Sequence, residues 1–352
     1  GTGRRPIRSS WHRRWQSYSV MTEGGDVVES PRDAFGRTLV ELARENPNIV
    51  VLDADLASST RVVYFAKEFP ERFFQMGVAE QNMVGVAAGM ALMGKIPFVS
   101  TFGVFASRRA CDQVAISVAH CRLNVKLVGA YSGIVSGNNG ATHQAVEDVG
   151  IMRAIPHMVV VDPADDVEME QAVKAIVAYE GPVYLRVTRD AWPRVSPKDY
   201  QFALGKAVQV REGRDVTLIG SGMMTSQCVE AARLLSLSGI EARVLNMATL
   251  KPIDVEAIVK AAEETGCIVT AENHNIYGGL GSAVAEVLAE HAPVPMARVG
   301  IRDCYGECGK YDELLDKYKM SPRHIAEAAR SVLQKKRMVF GMMAHCKAFK
   351  HD

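Results

Sequence analysis

Residues 75–89 read QMGVAEQNMVGVAAG, and one carboxylate, Glu80, stands in a run otherwise built mostly of Met, Val, Ala and Gly. Val78, Met83, Val84, Val86 and Ala87 put apolar side chains on both faces of a helix, so the spacing predicts a helix buried all round. Gly85, Ala87, Ala88 and Gly89 leave room for another backbone to approach closely. A carboxylate in such a place loses hydration, which favours its protonated form. Two readings of Glu80 stay open on this stretch alone. It is an acid with a chemical task, or a residue that caps a helix start or pairs with an Arg.

Outward from this run, strands and helices alternate. A helix over 31–45 (Phe35, Leu39, Leu42 and Ala43 at helical spacing) precedes a β-branched strand at 48–54. After a loop at 55–60 and a helix holding Tyr64, Phe65 and Lys67 comes the Glu80 helix. Strands at 96–100, 125–130, 158–161 and 183–187 follow, with helices at 106–120 and 167–179 and a Gly/Asn-rich loop at 133–140. Continuous apolar strands between helices predict a parallel sheet covered on both faces. Residues 193–206, with Pro193 and Pro197 and no clear period, read as a linker. A second α/β unit has expected strands at 216–220, 241–246, 267–272 and 294–299 and helices at 227–236, 255–265, 283–291 and 322–334. The fold expected is therefore α/β, with two doubly wound domains: a parallel-sheet domain at 29–192 and a smaller one at 207–335. A basic leader over 1–28 and a basic, Met-rich tail over 336–352 flank them.

With 352 residues, 48% of them hydrophobic, the chain can bury two cores, and its net charge of +1 argues against a nucleic-acid surface. No run approaches the ~18–20 apolar residues that span a bilayer. Seven cysteines at irregular spacing do not form a disulfide framework, and Cys304-x3-Cys308 lacks the second pair that zinc requires. A reducing compartment, the cytoplasm, is the expectation. Residues 1–20 carry five Arg and no acid, which suits an organelle-targeting leader, a disordered basic arm or an extension ahead of Met21.

Gly220-Ser-Gly222 follows a strand but lacks the third Gly, and Asn246 stands where a ribose-binding acid belongs, so a dinucleotide site is disfavoured. A second set of residues is more informative. Phe102 and Phe105 lie three apart just after a strand, and His143 follows the Gly/Asn loop. Ligands gather at the carboxyl ends of strands in open α/β sheets, so Glu80, Phe102, Phe105 and His143 can share one mouth. Singly, each aromatic suits a core and His143 a structural hydrogen bond; together they suit a cofactor site.

The order of GVAEQNMVGVAAGMA (77–91), STFGVF (100–105), GNNGATHQAVED (137–148) and VTRDAWP (187–193) resembles the pyrimidine-binding domain of transketolases. The second unit, with ENHNIYGGLGSA (272–283), is similar to their carboxyl-terminal domain. The resemblance implies thiamine diphosphate as cofactor, with Glu80 hydrogen-bonding N1′ of its aminopyrimidine, the step that makes the thiazolium C2 nucleophilic. It places Phe102 and Phe105 against the pyrimidine, Asp55 near the cofactor, and His143 at the reacting carbon. Arg32, Ser59 and Arg189 match the family's substrate-phosphate ligands. Two positions depart: Tyr131 stands where the family has a phosphate-binding His, and Asn139 where it has an Asp that reads substrate hydroxyls. Both put the usual pentose-phosphate substrates in question.

The family holds the diphosphate through Mg²⁺ with a GDG motif in a separate domain, and no GDG occurs in this sequence. The expectation is one subunit of a split enzyme: a partner carrying GDG and the Mg²⁺ ligands, and homodimerisation within a heterotetramer. The activity implied is transfer of a two-carbon ketol unit from a ketose phosphate to an aldose. Two alternatives remain: a β-type subunit of an oxoacid-decarboxylating thiamine enzyme or relative of deoxyxylulose-phosphate synthase, and a catalytically silent binding or regulatory protein.

Overall fold

Continuous apolar runs become most of the central strands of two sheets. The computed structural model describes residues 28–348 other than 198, with side chains at 135, 136 and 339–348 left aside. Residues 1–27 and 349–352, the parts of the leader and tail expected at the ends, lie outside the described residues.

The first sheet is built from β1 (Ile49–Asp53), β2 (Phe73–Gln75), β3 (Ile96–Phe102), β4 (Lys126–Ala130), β5 (Val159–Val161) and β6 (Val183–Val187). A seventh strand comes from the second unit, after β7 (Val208–Arg211), β8 (Val216–Gly220) and β9 (Ala242–Asn246): β10 (Thr249–Lys251). The order is β10-β5-β6-β4-β3-β1-β2, parallel except where β10 pairs antiparallel with β5. The second sheet takes β7, β8, β9, β11 (Ile268–Asn275) and β12 (Met296–Ile301) in the order β12-β11-β8-β9-β7, with β7 antiparallel. Both are doubly wound α/β sheets, as the alternation predicts.

Several elements differ from the sequence expectation. Short edge strands β2, β7 and β10 carry too few apolar residues to show a period. The helix expected over 106–120 divides into a short α-helix at Gly103–Arg108 and a π-helical stretch at Gln113–His120. Helices at Asp148–Ala154 and Tyr311–Lys317 occupy stretches without a periodic signal. The last helix, Pro322–Ala348, continues through much of the expected tail. Lys336 Nζ pins it by donating to the carbonyls of Thr265 (2.6 Å) and Asp215 (3.2 Å), the first of which ends the helix Val255–Thr265.

The Glu80 helix, Glu80–Leu92, is not buried all round. Glu80, Met83, Val84, Ala87 and Ala88 face the core at helical spacing, while Gln81, Asn82, Gly85, Gly89 and Leu92 face outward. Val78, Leu92 and Met93 are 70%, 72% and 82% exposed, and Ile116 beside them 59%.

A charge cluster joins the two units. Arg186 on β6 donates to Asp148 (2.9 Å), to Asp162 (3.0 Å) and to the carbonyl of Asn273 on β11 (3.0 Å), all of them buried. A second link runs through Glu168, which accepts from the Asn246 amide (2.7 Å), the Ala164 N–H (2.7 Å) and the Tyr200 hydroxyl. Burial pushes the Glu168 carboxyl up to about 7 from its ordinary 4.5. The folded chain therefore holds a proton there that the unfolded chain releases, so this contribution to stability is complete below 4.5 and is lost as the pH rises through 7. Between about pH 5 and about pH 8 the thermal midpoint of Glu168→Gln should vary less than that of the unsubstituted chain; equal slopes in calorimetry would count against a proton on Glu168.

Candidate functional site

The carboxyl ends of four adjacent strands, β6-β4-β3-β1, deliver the site. Arg189 lies two residues past β6, Tyr131 one past β4, Phe102 ends β3, and Asp55 and Ser59 follow β1. Parallel strands leave their carboxyl ends on one rim, and loops there can present side chains without disturbing the sheet. Asp55 and Tyr131 both have positive φ, 64° and 57°. A bulky residue in that conformation is held by its surroundings; here the Tyr131 N–H donates to the Val187 carbonyl at 2.8 Å.

The side chains form a continuous ladder. Tyr131 stacks on Phe102 with centroids 4.4 Å apart, and Phe102 stacks with Phe105 at 5.9 Å. His143 stands edge-on to both rings, 6.0 Å from Phe102 and 5.3 Å from Phe105. It also lies 2.9 Å from the Thr142 hydroxyl through Nδ1. At one end of the ladder, Arg32 and Arg189 lie over the Tyr131 ring at 5.8 and 5.5 Å. Arg32 donates to the Tyr131 hydroxyl (2.8 Å) and to the Ser59 carbonyl (3.2 Å). The Nε atoms of both arginines are buried without a hydrogen-bond partner. Two guanidiniums with donors to spare are chemically suited to a tetrahedral oxyanion.

At the other end lies Glu80, 3% exposed. Sequence reasoning set it among apolar residues, but Arg109 donates to its Oε1 at 3.0 Å and also covers the Phe105 ring at 4.0 Å. Arg109 was not foreseen; its place four residues after Phe105 on a helical path is the signal for the ring contact, whereas the pairing with Glu80 across 29 residues leaves no local trace.

Asp55 and Asn139 stand outside the ladder. Both are exposed, Asp55 held by its N–H on Gln75 Oε1 (2.9 Å) and Asn139 at the end of a 3-10 turn, Ile134–Asn139. The organiser beneath Asp55 is Asp53, which sequence reasoning passed over. Its buried carboxylate accepts from the Leu56 N–H (2.9 Å) and the Gln75 amide (2.8 Å).

A sheet rim carrying a buried acid, a stacked aromatic wall and an arginine pair has the donor set that a cofactor and an anion require, in a two-unit α/β chain. Family comparison gives that arrangement a place: residues 30–194 match the transketolase pyrimidine-binding domain and residues 205–325 the transketolase C-terminal domain. The chain is 48% identical over 305 residues to a 6-deoxy-6-sulfo-D-fructose transketolase subunit of Clostridium sp. (strain MSTE9), covering 87% of this chain and 95% of that one. It is 44% identical over 318 residues to a putative transketolase C-terminal section of Methanocaldococcus jannaschii, covering 90% and 100%. A solved structure described as a split gene transketolase, inactive beta4 tetramer, superposes with a TM-score of 0.80 at 48% identity, covering 87% of this chain and 99% of that one. The chain belongs to the transketolase family and is a transferase of the type found as separate subunits. Among the described residues, no helix is long and apolar enough to cross a membrane.

The half-exposed Arg109 is well solvated, so its pairing with Glu80 is closer to a surface ion pair than to a buried one. Arg109→Met, which keeps an apolar stem over Phe105, should cost about 1 kcal/mol in urea unfolding. A loss of several kcal/mol would mean that Glu80 depends on this one partner.

Proposed function

We propose that this chain is the pyrimidine-side subunit of a split transketolase. It would transfer a two-carbon ketol unit from an anionic ketose to an aldose, with thiamine diphosphate held between it and a second subunit. The observation that carries this reading is the ladder from Glu80 through Arg109, Phe105, Phe102 and Tyr131 to Arg32 and Arg189. The residues present suit the cofactor: a buried carboxylate at a helix start is linked through Arg109 to two near-parallel aromatic planes.

When bound, thiamine diphosphate supplies the carbon nucleophile and the electron sink. Glu80 would hold a proton at N1′ of the pyrimidine ring, and Phe102 and Phe105 would keep that ring flat and dry. For Glu80 to face the ring, Arg109 must share or release it. His143, edge-on to both rings, would donate to substrate oxygens as charge develops there. Arg32, Arg189 and Ser59 would anchor the anionic end of the sugar, with Asn139 and Tyr131 reading the part between. Asp55 would approach the cofactor from the β1 loop. The Mg²⁺ and diphosphate ligands would come from the partner.

A second reading of the donor rests on Tyr131. A neutral phenol adds no positive charge to the arginine pair, which suits a singly charged sulfonate as well as a phosphate. The Clostridium relative is described as acting on a 6-deoxy-6-sulfo ketose. The donor class is thus a ketose carrying a terminal phosphate or sulfonate.

Assembly follows from the outward face of Glu80–Leu92. No atom lies within 4 Å of a Cβ placed on Gly85 or Gly89, and Val78, Leu92, Met93 and Ile116 stand exposed around them. An apolar, close-approach face of this kind fits a second copy of the chain. A Leu92→Asp, Met93→Asp variant should sediment as a smaller species than the unsubstituted chain; an unchanged mass would place the contact elsewhere.

With the partner subunit, thiamine diphosphate and Mg²⁺, the complex should transfer ketol units from a ketose phosphate or sulfonate without releasing CO₂. The single chain should not. Glu80→Gln should slow exchange of the thiazolium C2 proton by at least about 10²-fold. Full turnover by the chain alone, or undiminished exchange in Glu80→Gln, would refute the reading.

A further inference from the structure

Between β12 and the helix Tyr311–Lys317, residues 302–310 leave the second sheet and reach across to the first unit. They meet the loop that carries Asn139 and His143. The Gly309 N–H donates to the Gly137 carbonyl (3.2 Å), and Gln144, 1% exposed, donates to the carbonyls of Glu307 (3.0 Å) and Ile134 (3.4 Å). Cys308 Sγ lies 3.9 Å from the Asn138 carbonyl. From below, Asn273 on β11 accepts from the Ile134 N–H at 3.0 Å. The fit is close enough to require glycine on both sides. A Cβ on Gly306 would collide with Gln144 Oε1, one on Gly137 with the Gly309 carbonyl, and one on Gly133 with the Asn273 side chain.

The outside of this segment is braced as well. Arg108 lies 6.0 Å from the Tyr305 ring centroid and is paired with Glu147, and Lys317 is paired with Glu307. The turns Ile134–Asn139 and Ala141–His143 thus hang between two supports from the second unit, Asn273 beneath and loop 302–310 outside.

We propose that loop 302–310 is the outer wall of the substrate mouth, and that Gln144 acts through it as the positioning residue for Asn139 and His143. This rests on the functional reading above. A ketose must be aligned to within a fraction of an ångström at the reacting carbon, and short 3-10 turns have little rigidity of their own. The second unit supplies that rigidity, so part of the substrate affinity depends on a domain that places no residue in the aromatic ladder.

The test uses two variants on opposite sides of the contact, Gln144→Met and Gly306→Ala, with Lys317→Gln as a milder loosening of the same loop. In the full chain, amide hydrogen exchange over 134–143 should quicken in each. In the complex with the partner subunit, the KM for the ketose donor should rise about tenfold, equivalent to ~1.4 kcal/mol, in Gln144→Met and Gly306→Ala. Cofactor affinity, read by titration, should hold, while kcat falls by no more than the same factor because His143 is held less firmly. The double variant should lose little more than either single one, because both break one contact. Unchanged exchange, or faster exchange with unchanged KM, would overturn the proposal. So would parallel losses of kcat and cofactor affinity, which would indicate a general structural role. A wild-type complex without ketol transfer would overturn the functional reading and this proposal with it; exchange over 134–143 separates that outcome from failure of the contact, since it needs no turnover.

Discussion

The guanidinium of Arg186 is the constraint on which the two units depend. It is buried, and it donates to two carboxylates of the first unit and to a carbonyl of the second. Removing a charge from water costs several kcal/mol, and only full pairing offsets it. Asp148 and Asp162 supply the opposite charge, and the Tyr184 hydroxyl donates to Asp148 at 2.7 Å. Burial pushes His274 down, which keeps another positive charge out of the same interior. The geometry that satisfies Arg186 also places Asn273, whose side chain then reaches the Ile134 N–H. The register of the loop bearing His143 is thus tied to a charge cluster on the far side of the same interface.

Glu272 adds a second tie within the second unit. Its carboxylate accepts from the N–H groups of Leu280 (2.7 Å) and Gly281 (2.9 Å), at the start of the helix Leu280–His291. Helix amino termini hold unpaired N–H groups that a carboxylate satisfies. Burial nevertheless pushes this carboxyl up to about 7. The ENHNIYGGLGSA stretch is therefore a structural device: an acid that caps a helix, a carbonyl that holds Arg186, and glycines that make room for the acid. A Cβ on Gly279 or Gly281 would crowd Glu272.

The central strands were legible in the sequence because strands buried on both faces are continuous apolar runs, as at Val50, Val51 and Leu52 or Leu127 and Val128. Edge strands such as Thr249–Lys251 were not, since their place depends on antiparallel pairing with β5 from another unit. Glu80, Phe102, Phe105, His143, Tyr131, Arg32 and Arg189 were legible through motif order, and the structure brings them into one ladder. Asp55 and Asn139 sit apart from it, and Arg109 was invisible because its charge partner is remote in sequence. The apolar outer face of the Glu80 helix misled the sequence reading in an instructive way. Periodicity reports that a face is apolar, not whether its own chain covers it.

The polarity of the ladder carries the last step. Positive charge gathers at the Arg32 and Arg189 end, where two buried Nε atoms have no hydrogen-bond partner and Arg189 Nε lies 3.8 Å from Asp190 Oδ1, and the buried carboxylate lies at the opposite end beyond three stacked rings. A substrate with an anionic tail and a neutral carbonyl head would favour one orientation, because its tail is attracted to the Arg32 and Arg189 pair while Arg109 offsets the charge of Glu80 at the other end. On the proposed reading, that orientation brings the carbonyl head to His143 and Phe105 beside the cofactor ring. Orientation is then set by charge separation across the aromatic wall, and the choice of anion by how Tyr131 divides the donors of Arg32.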